Sequence, residues 1–383
     1  MTEPRRILYE RFTHREGSAF WYIDSGHING YQALGCDAAE WFGGRDSDEP
    51  IASVLDRVQP DVFVGCLQRT SRGPAPWLDD AGIDAIRQHR GERGMKVAVR
   101  SGPSNMRKLF EGSAFEFEKF QDSGVASFYL QPDRPTPEEQ RAIDAGLIDL
   151  VRSPFHASCL DRAFASFLDA GLSILEEPHA ADATRYRKVD AGEPVRDVLF
   201  VGNCWTFKWA NMGPYIERLQ DHFGDRFAIF GEGWPDHVRT LGPLVPRGES
   251  DALNREVARS RVSIALHEPT QVLSWPFSGN ERVFKLLACG AAVVSDANPI
   301  LPSYFAAGDE LRIAADPVAM ISGTEALLTD GPARGAMGEA GRRRVLEDHT
   351  YKHRARRLLE VLDAAPAAAQ VFDRRAGTRA AAA

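Results

Sequence analysis

Cysteine is scarce in this 383-residue sequence, and what there is does not pair. Cys36, Cys66, Cys159, Cys204 and Cys289 are odd in number, scattered and never in a CxxC arrangement. That excludes a disulfide framework and a cysteine-built zinc site, and it fits a reducing cytoplasm. Long hydrophobic runs are missing as well. No stretch approaches the ~18 apolar residues that cross a bilayer, and the opening MTEPRRILYERF lacks the apolar run of a signal peptide. We therefore expect no membrane span and a cytoplasmic location. Positive charge is in deficit, with 46 Lys and Arg against 54 Asp and Glu and a net charge of −8. This argues against nucleic-acid partners held by a general electrostatic footprint, although a local phosphate pocket remains compatible with it. No GxGxxG follows the first strand-like run, which disfavours a dinucleotide-dependent dehydrogenase. No internal repeat of solenoid length occurs. With 43% hydrophobic and 26% charged residues, the composition is that of an ordinary soluble globular protein, long enough for two domains.

What is present is an alternation of short apolar runs and amphipathic stretches. In the first half, strands are expected at 7–9, 38–42, 61–66, 96–100, 126–130, 147–151 and 172–175. Helices are expected at 27–34, 51–58, 83–91, 115–121 and 157–168. Residues 176–196 (EEPHAADATRYRKVDAGEPVR) are polar, contain prolines and hold no period, so they read as a linker that includes His179. The pattern then restarts, with strands at 197–202, 227–230, 262–266 and 291–295 and helices at 212–222, 251–260, 280–288, 317–328, 333–345 and 352–363. Repeated strand–helix–strand units build parallel sheets wrapped by helices. The expected architecture is α/β, with two Rossmann-like domains facing across a cleft: 1–178, a linker at 179–196, 197–348, a C-terminal helix 349–363 that crosses back to the N-terminal domain, and a disordered tail 364–383. Ligands of such sheets sit beyond the carboxyl ends of the strands.

The most informative segment is 278–296, SGNERVFKLLACGAAVVSD. Ser278, Gly279 and Asn280 can cap a helix, Glu281 suits the first-turn dipole, and Val283, Phe284, Leu286 and Leu287 share an apolar face. Gly290 fits a left-handed cap before a buried strand. An ordinary capped helix explains all of this. The functional alternative is that free amides at 279–282, together with the Arg282 guanidinium, hold a diphosphate. Gly231-Glu232-Gly233-Trp234 follows a strand, where glycines allow a backbone to approach a ligand or simply make a tight turn. His267-Glu268 ends another strand and is read either as a structural group or as a ligand contact. Trp275 and Phe277 either stack on a ligand or cover the core.

These segments, in this order, resemble the C-terminal domain of GT-B glycosyltransferases, most closely the CgeB-like, Glyco_trans_1_2-type group. NERVFKLLACGAAVVSD is similar to its donor-site helix and following strand, DVLFVGN at 197–203 to its first strand and turn, FAIFGEGW at 227–234 to its second, and NREVARSRVSIALHE at 254–268 to the helix and strand before the donor helix. The N-terminal half resembles the acceptor domain more loosely, through GYQALGCDAAEWF. The resemblance implies a nucleotide-diphosphate sugar donor carrying UDP, TDP or GDP, no tightly bound cofactor and an acceptor of unknown identity. By it, Gly202 and Lys208 match the positions that face the diphosphate, while Asn203 replaces an arginine that Arg282 could substitute. The paired glutamates of retaining members are replaced by Phe277 and Lys285. Glu281, one turn before Lys285, is the candidate contact to a ribose or sugar hydroxyl. Cofactor-binding candidates are thus Gly202, Asn203, Lys208, Gly231, Gly233, His267, Ser278, Gly279, Asn280, Arg282 and Lys285.

In the N-terminal half, the glycine- and aromatic-rich stretch 17–30 is expected to project into the cleft, with His27 just before the first helix and Asp24 three residues earlier. A histidine beside a carboxylate suits the general base that takes a proton from an acceptor hydroxyl, although helix capping by His27 and a turn held by Asp24 account for them equally. Arg69 and Arg100-Ser101-Gly102, at strand ends, are candidates for an acidic acceptor or for phosphates. No DxD-type pair calls for a metal, so protein donors are expected to stabilise the leaving diphosphate. The leading reading is a metal-independent glycosyltransferase acting on an acceptor hydroxyl or amine, with His27, Asp24 and Glu281 as catalytic candidates. The alternatives are a nucleotide-sugar epimerase or hydrolase on the same scaffold and a non-catalytic sugar-nucleotide binder.

Overall fold

Apolar runs bounded by turns form two parallel sheets, as the strand–helix alternation requires. The computed structural model of the chain describes residues 3–11, 19–42, 49–67, 75–101, 135–204, 206–244, 250–268 and 279–364. The stretches expected at 115–121 and 126–130, the residues Gly17, Arg69, Gly102, Trp275, Phe277 and Ser278, and the tail from 365 lie outside the described residues. The chain divides into two units: one holds residues up to Pro178 and from Lys352 onward, and the other runs from His179 to Tyr351.

Unit one contains β1 (Arg6–Glu10), α1 (Ala19–Gln32), β2 (Asp37–Trp41), α2 (Ile51–Val58), β3 (Val62–Cys66), α3 (Asp80–Arg93), β4 (Lys96–Arg100), α4 (Pro137–Asp144), β5 (Leu150–Ser153), α5 (Leu160–Ala163), α6 (Ala165–Asp169) and β6 (Ile174–Glu176). Among the described residues its sheet has the order β2-β1-β3-β4-β5-β6, every pair parallel. Strands such as VFVGC are buried at every position, as a strand covered on both faces must be. Helix ends are set locally. Thr136 and Glu139 close a capping box on α4, and Asp79 caps α3 by accepting from the Gly82 amide at 2.7 Å. The first helix differs from the expectation. It begins at Ala19, eight residues before His27, because Ala19–Ile23 is apolar enough to propagate the helix upstream of Gly26 and Gly30. The single helix expected at 157–168 is instead a 3-10 turn followed by the short α5 and α6.

Unit two contains β7 (Arg196–Val201), α7 (Thr206–Phe223), β8 (Phe227–Phe230), α8 (Ser250–Ala258), β9 (Ser260–Ala265), α9 (Glu281–Ala288), β10 (Ala292–Asp296), α10 (Leu301–Tyr304), β11 (Arg312–Ala314), α11 (Pro317–Thr329) and α12 (Gly331–Asp348). Its order is β11-β10-β9-β7-β8, again all parallel. β7 lies between β8 and β9, which makes its carboxyl end the switch point where such sheets open a crevice. One hydrophobic cluster, with Phe284, Leu286, Leu287 and Val293, covers one face of this sheet; another, with Phe200, Met212, Ile216 and Val262, covers the other. Helix α7 starts six residues before the expected 212. The helix carries Pro214 in its interior. Residues 179–196 are not a free linker: Ala181 bridges to Thr350 and Tyr186 packs into the core of unit two.

The last helix, α13 (Tyr351–Asp363), joins unit one, where Ala355, Leu358, Val361 and Leu362 enter the core with Ile7, Tyr9 and Tyr31. Among the described residues no helix is long and apolar enough to cross a membrane. Because Leu358 is fully buried, Leu358→Ala is expected to cost about 2–5 kcal/mol in chemical denaturation. Leu241→Ala, at a position 57% exposed, is expected to stay within about 0.5 kcal/mol.

Candidate active site

The carboxyl ends of β7, β8, β9 and β10 bring most of the C-terminal candidates to one edge of the second sheet. Gly202 and Asn203 follow β7, Gly231 and Gly233 follow β8, and His267 follows β9. The turns after β7 and β8 are stitched together. Gly202 N donates to the Phe230 carbonyl at 2.8 Å, Cys204 N to the Glu232 carbonyl at 2.9 Å, and Glu232 N to Asn203 Oδ1 at 2.9 Å. Asn203 thus acts first as a turn brace. Gly202 has to be glycine for a packing reason, since a Cβ there would collide with the Arg282 guanidinium. Gly233 sits at φ 77°, where a side chain would run into the Cys204 carbonyl.

Asn280 caps α9. Its Oδ1 accepts from Val283 N at 3.3 Å and its Nδ2 donates to the Leu266 carbonyl at 2.8 Å. Arg282 Nη1 donates to that same carbonyl at 2.6 Å, with the guanidinium lying over the Phe200 ring at 4.7 Å. Burial pushes the Arg282 pKa down to about 10, against the pull of the Asp296 and Glu268 carboxylates. Lys208, in the first turn of α7, is likewise held below the usual lysine range by burial, against the pull of Glu268 and with the added repulsion of Arg282. Two cations disfavoured by desolvation, Lys208 also by Arg282, therefore lie near the start of a helix whose N-terminal dipole is itself positive.

His267 is fully buried. Its Nδ1 lies 2.5 Å from Asp296 Oδ1, and its backbone N–H donates to Asp296 Oδ2 at 2.9 Å. Asn211 Nδ2 completes the brace, donating to Asp296 Oδ2 at 3.1 Å and to the His267 carbonyl at 2.9 Å. The Nε2 of His267 has no hydrogen-bond partner. Asp296 and Asn211 escaped the sequence reading. The available signal was a carboxylate closing AAVVSD, but its meaning depends on β9 and β10 being neighbours.

Two sets of candidates are placed differently from expectation. Glu281 is in the first turn of α9, but both its oxygens are committed: Tyr351 Oη donates to Oε1 at 3.0 Å and Lys285 Nζ sits 2.5 Å from Oε2. Lys285 in turn lies over the Tyr186 ring at 4.9 Å. A sugar or ribose contact from Glu281 would have to break one of these buried bonds, so Glu281 and Lys285 pack together along the first turns of the helix. His27 and Asp24 do not precede a helix. They lie inside α1 and are buried. His27 stacks on Tyr9, 5.8 Å between centroids, and sits 3.7 Å from Glu177 and 3.4 Å from Arg152. Asp24 accepts from Tyr9 Oη and pairs with Arg100, both at 3.2 Å. The expected base is thus the core of an ion network formed with Arg152, whose Nη1 donates to Glu177 at 2.6 Å. Glu10, also missed, ends β1 with its carboxylate accepting from Cys66 N at 2.8 Å, and burial pushes its pKa up to about 8. The signal for Glu10 was a carboxylate directly after the apolar ILY. Ser101 is buried at the end of β4. Among the described residues no cluster of three or more His, Cys, Asp or Glu side chains could hold a metal ion.

Residues 214–360 match the family described as glycosyl transferase-like. No curated protein matches the chain in sequence. Solved structures of similar fold include sucrose-phosphate synthase (tll1590) from Thermosynechococcus elongatus, 12% identical over 93% of this chain and 98% of that one, with a TM-score of 0.57. Anabaena Alr3699/HepE in complex with UDP is 9% identical over 93% and 99% of the two chains, with a TM-score of 0.54. An alpha-glucosyltransferase in complex with UDP and a 13-mer DNA containing an HMU base is 9% identical over 94% and 100%, with a TM-score of 0.59.

The closed Glu281–Lys285–Tyr351 cluster can be probed directly. Lys285→Met removes the cation from a buried pair and is expected to destabilise the protein by about 3–5 kcal/mol at neutral pH. Burial already raises the Glu281 pKa. Without its lysine the folded state binds that proton still more tightly, so the loss should grow as pH rises through the unfolded carboxylate range and shrink on acidification. Denaturation midpoints at pH ~4 and ~7 check the sign.

Proposed function

We propose that the chain is a glycosyltransferase of GT-B type in which unit two binds a nucleoside-diphosphate sugar, with uridine as the base, and passes the sugar to an acceptor hydroxyl or amine; the match of residues 214–360 to the glycosyl transferase-like family and the fold neighbours support this reading. The observation that carries this reading is the presence of two desolvated cations, Lys208 and Arg282, close to each other beside the first turn of α9. A diphosphate is the complement of such a site: it supplies two or more negative charges and several acceptor oxygens. Gly202, Gly231 and Gly233 let the turns and Arg282 pack closely at this edge, and Asn203 and Asn280 fix those turns. Two fold neighbours hold UDP, which favours uridine over thymidine or guanosine.

In the proposed reaction the acceptor heteroatom attacks the anomeric carbon, and the bond from that carbon to the diphosphate oxygen breaks. The departing oxygen takes the electron pair, and the acceptor proton passes to a base. Lys208, Arg282 and the first amides of α9 act where that negative charge grows, so their effect is larger on the transition state than on the bound donor. This chemistry needs no metal ion in the donor site. The ion network around His27 makes that residue a poor base in its described setting, so no residue is assigned to that step. The net charge of −8 does not by itself exclude a nucleic-acid acceptor, since one fold neighbour carries DNA beside UDP.

Thermal-shift titration with UDP, TDP and GDP tests the reading. We expect a specific response to UDP that weakens about tenfold or more in Lys208→Ala and in Arg282→Ala. Because Lys208 loses its proton below the usual lysine range, UDP affinity should also fall at alkaline pH before an ordinary lysine would titrate. A protein stabilised by none of the three nucleotides would overturn the proposal.

A further inference from the structure

In unit one the chain runs from β1 outward to β2 and then back past it to β3, giving the order β2-β1-β3-β4-β5-β6. The carboxyl ends of β1 and β3 are therefore the switch point, where sheets of this order open a crevice for a ligand. Glu10 ends β1 at that place and is 5% exposed. Tyr9 pairs with Val64, which sets Glu10 beside Gly65 and Cys66, and Glu10 Oε2 accepts from Cys66 N at 2.8 Å. Among the described residues Glu10 makes no other hydrogen bond and no ion pair. Two arginines close to it are spent on other carboxylates, Arg11 on Glu40 at 2.5 Å and Arg100 on Asp24 at 3.2 Å. Trp77, in a 3-10 turn at Pro76–Leu78, is fully buried, and its indole Nε1 has no hydrogen-bond partner. A Cβ built on Gly65 would lie 3.3 Å from that nitrogen, so the open N–H sits at the same strand end as Glu10. A donor lacking an acceptor and a carboxyl lacking a cation are together the complement of one group: a hydroxyl, which accepts from the N–H and donates to the carboxylate.

We propose that the acceptor is a sugar or polyol that presents a neutral hydroxyl to this strand end, and that Glu10 is the catalytic residue that removes its proton while Trp77 positions the hydroxyl. The inference rests on the sugar-transfer reading above and supplies the base that reading leaves unassigned. The proton passes from the acceptor oxygen to Glu10, that oxygen forms its bond to the anomeric carbon, and the bond from the carbon to the diphosphate oxygen breaks with its electron pair. Glu10 then returns the proton to solvent. Burial pushes the Glu10 pKa up to about 8, against the Cys66 N–H, the Trp77 indole and the Arg100 guanidinium, while Asp24 adds to the rise. The groups that bear on the carboxyl are thus Arg100 from β4, Asp24 from α1, Cys66 from β3 and Trp77, with Arg11 next in the chain. A base poised in that range is matched to a proton that leaves near neutral pH.

The test is UDP release from UDP-glucose by the full chain in molar glycerol, followed from pH ~6 to ~9.5. In the wild type kcat should rise with pH through an apparent pKa near 8. Glu10→Gln keeps an acceptor for Cys66 N but cannot take a proton. It should lower kcat about a hundredfold or more and flatten the profile, leaving the KM for UDP-glucose and the thermal response to UDP unchanged. The glutamine also avoids ionising a buried carboxyl, so this variant should unfold at higher denaturant than the wild type at alkaline pH, which shows that it folds. Trp77→Phe should raise the KM for glycerol and keep the pH profile. The acceptor side is also read without any donor, from the Trp77 Nε1–H resonance, identified by its loss in Trp77→Phe. It should move on adding glycerol, and move again as pH passes through the same range in the wild type but not in Glu10→Gln. An indole resonance indifferent to glycerol, or wild-type turnover with an unchanged profile in Glu10→Gln, would overturn the inference and leave the donor-site reading standing. A wild type with no thermal response to UDP would instead overturn that reading first.

Discussion

The second unit is organised around the burial of Arg282. Its guanidinium lies over the Phe200 ring, donates to the Leu266 carbonyl and occupies the space above Gly202. The contacts tie two strands together: Phe200 belongs to β7 and Gly202 follows it, while Leu266 follows β9. A cation placed there loses much of its hydration, which is why its charge is held less firmly than an ordinary arginine's. The surrounding carboxylates, Asp296 and Glu268, offset part of that loss. The guanidinium is therefore held by a ring, a carbonyl and two carboxylates that partly offset its desolvation.

The same edge explains the division of labour among the glycines and asparagines. Gly202 yields room to a guanidinium, and Gly233 yields room to a carbonyl. Asn203, Asn211 and Asn280 each spend side-chain amide groups on backbone or on Asp296. Neutral amides suit this task because they satisfy buried polar groups without altering the local charge. Among the described residues, the charges at this edge are those of Lys208, Arg282, Glu268 and Asp296. A parallel sheet makes this possible, since every strand delivers its last residue to one side and a short turn suffices to reach the crevice.

Much of this was legible in the sequence, and the exceptions share a cause. Continuous apolar runs such as DVLFVG and KVAVR marked buried parallel strands, and the asparagine cap, apolar face and Cys289-Gly290 ending marked α9. Helix starts were harder. The expected start at Met212 falls in the interior of α7, and the glycines at 26 and 30 concealed that α1 begins at Ala19. Both are cases where tertiary burial outweighs local propensity. The functional pairs were harder still. Nothing in the chain between His267 and Asp296 announces their contact; it follows from β9 and β10 being hydrogen-bonded neighbours. His27 and Asp24 misled for the opposite reason. Three residues apart they look like a dyad, yet on a buried helix that spacing presents both to the same core.

Lys285, which stands where the resembled family carries a glutamate, is coherent once its surroundings are known. A carboxylate at 285 would sit one turn from Glu281 and double the buried negative charge on that side of α9. A lysine there neutralises Glu281 and uses the Tyr186 ring for its remaining face, while Tyr351 holds the other oxygen. Tyr186 and Tyr351 come from the segments where the chain enters and leaves unit two, and Ala181 pairs there with His349 and Tyr351. The first turn of α9 is thus fastened on one side through Glu281 to these segments, and on the other through Asn280 and Arg282 to the Leu266 carbonyl. The lysine that departs from the resembled pattern belongs to the first of these two anchorages.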